Sequence, residues 1–174
     1  MKFFNSIRLV LLGIWLGAAC FFIAVAASAF AVLPARELAG LVVNRTLAIL
    51  NFSGLAIGVL LIITSLVGTK TLGKFWVWTE RFLLLILAGA CAVGQFVISQ
   101  WLLLVRLEMG SKPIDEIAVD DPLRIQFNQL HQYSEWVLTA AMIAALVAFL
   151  IISNRTFGVG REKAADPPKD EFKF

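Results

Sequence analysis

Long runs without a charged residue dominate the hydrophobic pattern of this chain. Four of them, each 19 to 25 residues long, cover residues 9–33, 46–69, 82–105 and 136–154. A helix of about 20 apolar residues crosses the roughly 30 Å hydrocarbon core of a bilayer. The pattern therefore predicts an all-α integral membrane protein, a bundle of four transmembrane helices.

The segments between these runs are short, and several carry helix signals. Residues 35–45 are amphipathic and predict a short interfacial helix before the second span. Asp121, followed by a proline, is typical of a helix start, and no Gly or Pro then interrupts residues 122–154. We expect one membrane domain over residues 1–157 and a disordered, charged cytoplasmic tail over residues 158–174.

Composition supports this class, and the distribution of charge adds an orientation. The chain is 60% hydrophobic and its mean hydropathy is +0.86, whereas soluble domains are about 45–50% apolar. Of the fifteen Lys and Arg residues, ten fall in the N-terminus, the second connection and the tail, which share one side of a four-span protein. Because basic residues collect on the cytoplasmic side, we expect a bacterial inner-membrane protein with both termini cytoplasmic.

The first span raises the question of a cleaved signal peptide. Ala27, Ser28 and Ala29 resemble a cleavage site, and the segment before residue 9 is basic. However, the hydrophobic core of a signal peptide is about 7–15 residues long, and this run is longer. We therefore expect the first span to be retained.

Small residues recur at helix-packing spacing in the first two spans. Gly13 and Gly17 form one GxxxG pattern, and Gly54 and Gly58 form another. This spacing places two small residues on one face and allows helix backbones to approach closely. The pattern predicts packing within one bundle, and homodimerisation is the alternative.

Polar side chains also occur at membrane depth. Asn51 lies in the second span and Gln95 in the third. An amide facing lipid would lose its hydrogen bonds, so both should face inward. Either they form interhelical hydrogen bonds that fix the packing, or they line a polar pocket open to the outer side.

The start of the last helix holds the only histidine of the chain. His131 and Ser134 share one helix face, and Glu135 follows His131 at i+4. This arrangement predicts a proton-responsive site at the outer surface, or an ordinary histidine bonded to an adjacent helix end. Arg45 is on the same predicted side and is a candidate partner of Glu135 or Glu108.

Motifs for catalysis and cofactor binding are not found in the sequence. It has no GxSxG, HExxH, Walker loop, CxxC or GxGxxG pattern. Its two cysteines, Cys20 and Cys91, lie in apolar spans, where we expect them to pack as small hydrophobic residues. We therefore predict no enzyme, cofactor, metal site or nucleic-acid partner; the expected partners are the bilayer and a homo-oligomer or larger membrane complex.

Several of these residues resemble a known family in their order and spacing. They are Trp15-Leu16-Gly17, Phe21-Phe22, Phe30, Leu33-Pro34, Ala39-Gly40 and Phe127-x-x-Leu130-His131-x-x-Ser134. The pattern resembles the transmembrane-protein-205-like family, catalogued as domain of unknown function 4149. The resemblance implies a small four-helix membrane protein whose biochemical role is unknown.

Two functional hypotheses follow from the sequence. In the first, an outer polar face built from His131, Ser134, Asn51 and Gln95 recognises a small solute, lipid or ion. In the second, the chain is a structural or accessory subunit whose GxxxG faces hold a larger membrane complex together.

Overall fold

Four long helical spans form because helix-forming residues precede each charge-free run, and in the last two spans also follow it. The computed structural model describes residues 2–67, 74–110 and 112–165, with side chains described over 4–66, 75–110 and 112–154. Its helices are α1 (Lys2–Val32), α2 (Arg36–Val67), α3 (Lys74–Val93), α4 (Ser99–Glu108) and α5 (Pro122–Ala165). A π-helical turn, Gly94–Ile98, joins α3 to α4 into one continuous third span.

Four spans in these helices are long and apolar enough to cross a membrane: Phe4–Val32, Arg36–Leu66, Phe75–Glu108 and Pro122–Asn154. The predicted all-α four-helix bundle is therefore confirmed, and the chain is a multi-pass membrane protein. Residues 36–45 are helical as predicted, and they form the first three turns of α2. Residues 68–73, in the basic second connection, lie outside the described residues.

The four spans pack in a ring in which α2 lies beside α1 and α3, and α5 lies beside α3 and α1. Each span buries a stripe of residues spaced alternately three and four apart, the spacing of left-handed helix bundles. The stripes are Leu12, Trp15, Ala19 and Phe22 in α1; Asn51, Gly54, Gly58, Leu61 and Ser65 in α2; Glu80, Leu84, Leu87, Cys91, Gly94 and Ile98 in the third span; and Ala141, Ala145, Ala148 and Ile152 in α5.

The loop between α4 and α5 folds over one end of the bundle, which we call the loop end. After α4, Gly110 adopts a left-handed conformation (φ 68°) that turns the chain. Val105, Met109 and Leu130 then form a small second core. The Asp121 carboxylate accepts a hydrogen bond from the Leu123 N–H at 2.8 Å, and so caps α5 as its sequence predicts.

The C-terminal segment is more helical than the sequence suggested. α5 continues through Ala165, into the region predicted to be a disordered tail. No proline interrupts the chain between Pro122 and Pro167, so nothing in the backbone chemistry forces an earlier end. Residues 166–174 lie outside the described part of the chain.

Candidate functional site

The predicted histidine face lies on the exposed surface of α5. His131 Nε2 is 3.5 Å from Glu135 Oε1, one turn along the same helix, and the two side chains are 52% and 66% exposed. Ser134 is half-buried. An exposed i,i+4 pair of this kind contributes little to stability. Because both residues lie on α5, the pair does not join α5 to another helix.

The six predicted site residues do not come together at one place. Leu130 packs against Val105 and Met109, so His131 lies about ten residues along the third span from Gln95, roughly 15 Å at 1.5 Å per residue. Arg45 is exposed, and among the described residues it forms no ion pair with Glu135 or Glu108.

Asn51 and Gln95, by contrast, belong to adjoining segments in the middle third of their spans. Asn51 is buried in α2, and its Nδ2 lies 3.2 Å from the position that a Cβ on Gly94 would occupy. On the same two segments, the Phe52 and Phe96 rings pack edge to face, with their centroids 5.8 Å apart. We call Asn51, Gly94 and Gln95 the midplane site.

Gln95, the next residue after Gly94, carries an unused hydrogen-bond acceptor. Its Oε1 is fully buried and has no hydrogen-bond partner among the described residues. Leaving a buried polar atom unpaired costs about 1–3 kcal/mol, and the cost is not relieved by lipid. Gln95 lies within the π-helical turn, a local widening of a helix that often occurs at functional sites.

Three helices come into close contact next to the midplane site. The Trp15 indole Nε1–H donates to the Leu50 carbonyl at 3.1 Å, which links α1 to α2. A Cβ added at Gly54 would lie 2.6 Å from both Trp15 Nε1 and Cys91 Sγ, closer than real Cβ contacts allow. Only glycine fits here, so the backbone of α2 is fixed where the three helices meet.

The predicted GxxxG residues take different positions in the bundle. Gly54 and Gly58 both face α3, and a Cβ at Gly58 would lie 3.0 Å from that of Ala88. Gly13 faces α5, and a Cβ added at Gly13 would lie at ordinary van der Waals distance from the Phe149 ring. Gly17 is exposed, with nothing within 4 Å of the position of an added Cβ.

A group of buried charges at the opposite end of the bundle, which we call the charge cluster, was not predicted. Arg8 of α1 forms a buried ion pair with Glu80 of α3 and also donates to the Leu61 carbonyl of α2 at 3.2 Å. Arg81 donates to the Ser65 carbonyl at 2.9 Å and to its hydroxyl at 3.1 Å. The cluster therefore ties the ends of three helices together.

A signal for the charge cluster is present in the sequence. Arg8, Glu80 and Ser65 each continue the three-and-four spacing of their helix's buried stripe by one further step. Glu80 lies two residues before the uncharged run that defined the predicted third span, so it was counted as part of the connection. Extending each stripe to the helix ends would have placed the three side chains inside the bundle.

Beside the midplane site and the charge cluster, the described residues form no candidate metal site. Within the described ranges, no three or more His, Cys, Asp or Glu side chains group so that they could hold a metal ion. Cys20 is exposed and Cys91 is buried, and both are free thiols.

Together, the four apolar spans and the polar groups inside them define a multi-pass helical membrane protein. The chain belongs to the family described as "Domain of unknown function (DUF4149)", whose model matches residues 10–111. The match supports the family predicted from the sequence and does not extend to the narrower transmembrane-protein-205-like name. It contains the midplane site and Glu80, and it ends before the His131 face. No curated protein and no solved structure is significantly similar to the chain.

Proposed function

We propose that this chain is a non-enzymatic membrane protein that binds a small polar molecule or ion at the midplane site. The observation that carries the proposal is the buried Gln95 Oε1, which has no hydrogen-bond partner in the described structure. An acceptor in this state is costly to keep at membrane depth unless a donor occupies the site. Intramembrane polar groups are commonly retained for function.

The chemistry of the site indicates the class of ligand. An amide oxygen accepts hydrogen bonds or coordinates a cation, and the Asn51 amide offers both a donor and an acceptor. The residues of the midplane site carry no formal charge. They therefore suit a neutral molecule with hydroxyl or amine donors, or a single monovalent cation, better than an anion.

The proposed setting is a bacterial inner membrane, with both termini cytoplasmic. The support is the excess of Lys and Arg in the N-terminus, second connection and tail. This orientation places the charge cluster near the cytoplasmic surface and the His131 face near the outer surface.

Native mass spectrometry of gently extracted protein tests the proposal. We expect a small molecule or ion to remain bound to the wild type and to Gln100→Leu, whose side chain is exposed in α4. Gln95→Leu should lose it and should unfold no more easily than ligand-free wild type, because it removes an unpaired buried acceptor. A ligand that stays on Gln95→Leu, or a wild type without ligand, would overturn the proposal.

A second candidate function is that of an accessory subunit, and the lipid-facing side of α1 favours it. Gly17, Cys20, Ala24 and Ala27 are all small and exposed, at the alternating spacing of a helix-packing stripe. Gly17→Leu is the sharp test because it leaves the bundle's own contacts unchanged. It should release a stoichiometric partner in native mass spectrometry, whereas Gln95→Leu should retain that partner; retention by both variants would count against this function.

A further inference from the structure

The charge cluster contains more positive charge than its single acidic group balances. Arg8 binds Glu80, the residue that precedes Arg81 in α3. Glu80 pairs with Arg8, but among the described residues no acidic side chain pairs with Arg81, which donates its hydrogen bonds to the neutral groups of Ser65. Among the described side chains, one guanidinium charge is therefore left without a counter-charge.

Arg8 also carries an unused donor into this cluster. The residue is only 8% exposed, and its Nε–H is buried without a hydrogen-bond partner in the part of the chain that the structure describes. A buried N–H on a cation costs more to leave unpaired than a neutral one. The excess charge and the unpaired donor both favour an anion with several acceptor oxygens.

The depth of the cluster identifies where such an anion comes from. Phe75, Trp76 and Trp78 are exposed on the first turns of α3, immediately before Glu80 and Arg81. Exposed aromatic side chains of this kind mark the membrane–water interface, where lipid headgroups lie. The cluster therefore lies about one helical turn deeper in the membrane than these aromatic side chains.

The rest of this end of the chain is also basic. Residues 1–8 and 68–81 hold five Lys and Arg residues and one acidic residue, whereas the loop end is rich in Asp and Glu. Basic clusters between transmembrane helices at headgroup depth bind anionic lipids. This surrounding charge favours a ligand held in the membrane surface.

We propose that the charge cluster binds the phosphate of an anionic phospholipid in the leaflet at this end of the bundle. Arg81, which is partly exposed, makes the primary contact with the phosphate, and the exposed aromatic side chains lie on the water side of it. Arg8, whose charge is balanced by Glu80, contributes an unpaired Nε–H to the cluster. The proposal does not depend on the midplane site.

Titration of the full-length protein in zwitterionic detergent tests this site, with phosphatidylglycerol, phosphatidylcholine and inorganic phosphate as probes. Native mass spectrometry gives the bound fraction. We expect phosphatidylglycerol to bind the wild type and Arg45→Gln equally, since Arg45 is exposed towards the loop end. Arg81→Gln should bind it about fivefold more weakly, the effect of one basic residue near an anionic surface, and Arg81→Lys should recover most of the affinity.

Three results would overturn the proposal. One is equal binding of phosphatidylglycerol and phosphatidylcholine by the wild type. Another is displacement of phosphatidylglycerol by inorganic phosphate at the same concentration, which would identify a free anion as the ligand. The third is unchanged phosphatidylglycerol binding by Arg81→Gln. If Arg81→Gln does not fold, the first two comparisons, both made on the wild type, still decide the question.

Discussion

At the scale of single residues, the structure separates polar groups that hold the bundle from polar groups that remain unpaired. Trp15, Ser65 and Glu80 each have a partner on a neighbouring helix. Gln95 Oε1 and Arg8 Nε have none within the described ranges. Because the bilayer core supplies no water, this difference between otherwise similar buried groups is the best guide to where a ligand would be bound.

Glu80→Gln should destabilise the bundle strongly. The substitution leaves the Arg8 charge buried without its partner, which costs about 3–5 kcal/mol, whereas the double variant Arg8→Gln/Glu80→Gln should recover much of that loss. Both effects are measured as changes in the free energy of unfolding in mixed micelles. Arg36→Gln is the matched control, because the Arg36–Asp115 pair at 3.0 Å is exposed and should be worth about 0–1 kcal/mol. Additive losses in the double variant would contradict the expectation.

At the scale of elements, what could be predicted from sequence was the length and the apolar character of each helix. The second span illustrates this well: the uncharged run of residues 46–69 corresponds to most of α2. The length and the apolar character of a helix both follow from the need to match a bilayer of known thickness. The start of α5 was also predictable, because an Asp side chain followed by proline satisfies the first free N–H groups of a helix.

The contacts between helices could not be predicted in the same way. Whether Asn51 meets Gln95 or His131 depends on the rotation of each helix about its axis, and no local pattern fixes that rotation for a pair. The π-helical turn also changes the phase of the third span between Gly94 and Ile98. The sequence therefore predicted that Asn51 and Gln95 face inward, but it grouped them with surface residues of α5.

The two GxxxG patterns should respond differently to alanine. Gly54→Ala forces a Cβ to within 2.6 Å of Trp15 and Cys91 and should cost about 1–3 kcal/mol of stability as the three helices move apart. Gly17→Ala meets open space and should change the stability of the monomer little. Thermal unfolding of monomeric protein in detergent compares the two; equal losses would mean that the close junction does not limit stability.

At the scale of the whole molecule, charge distinguishes the two ends of the bundle. The charge cluster and its basic surroundings lie at one end, and the acid-rich loop between α4 and α5 lies at the other. The exposed remainder of each span is apolar, with side chains such as Ile14 and Leu85 facing outward. The molecule is thus a closed ring of helices in lipid with chemically different surfaces on its two sides.

This asymmetry predicts the orientation. In a background of Cys20→Ala and Cys91→Ala, a membrane-impermeant maleimide should label Asp120→Cys on intact cells. Lys169→Cys should be labelled only after the membrane is permeabilised, because the basic end is expected to be cytoplasmic. The reverse pattern would place the termini outside.

The ion pair between Arg8 and Glu80 has a consequence for how the protein is made. The two residues are 72 positions apart, so a growing chain exposes Arg8 to the translocation machinery long before Glu80 is synthesised. During that interval we expect Arg8 to act as a free positive charge that orients the first helix. Once α3 arrives, the same guanidinium is neutralised and becomes a fixed part of the interior. We therefore expect this one side chain to serve biogenesis twice, first by orienting the first helix and later by joining the first and third helices.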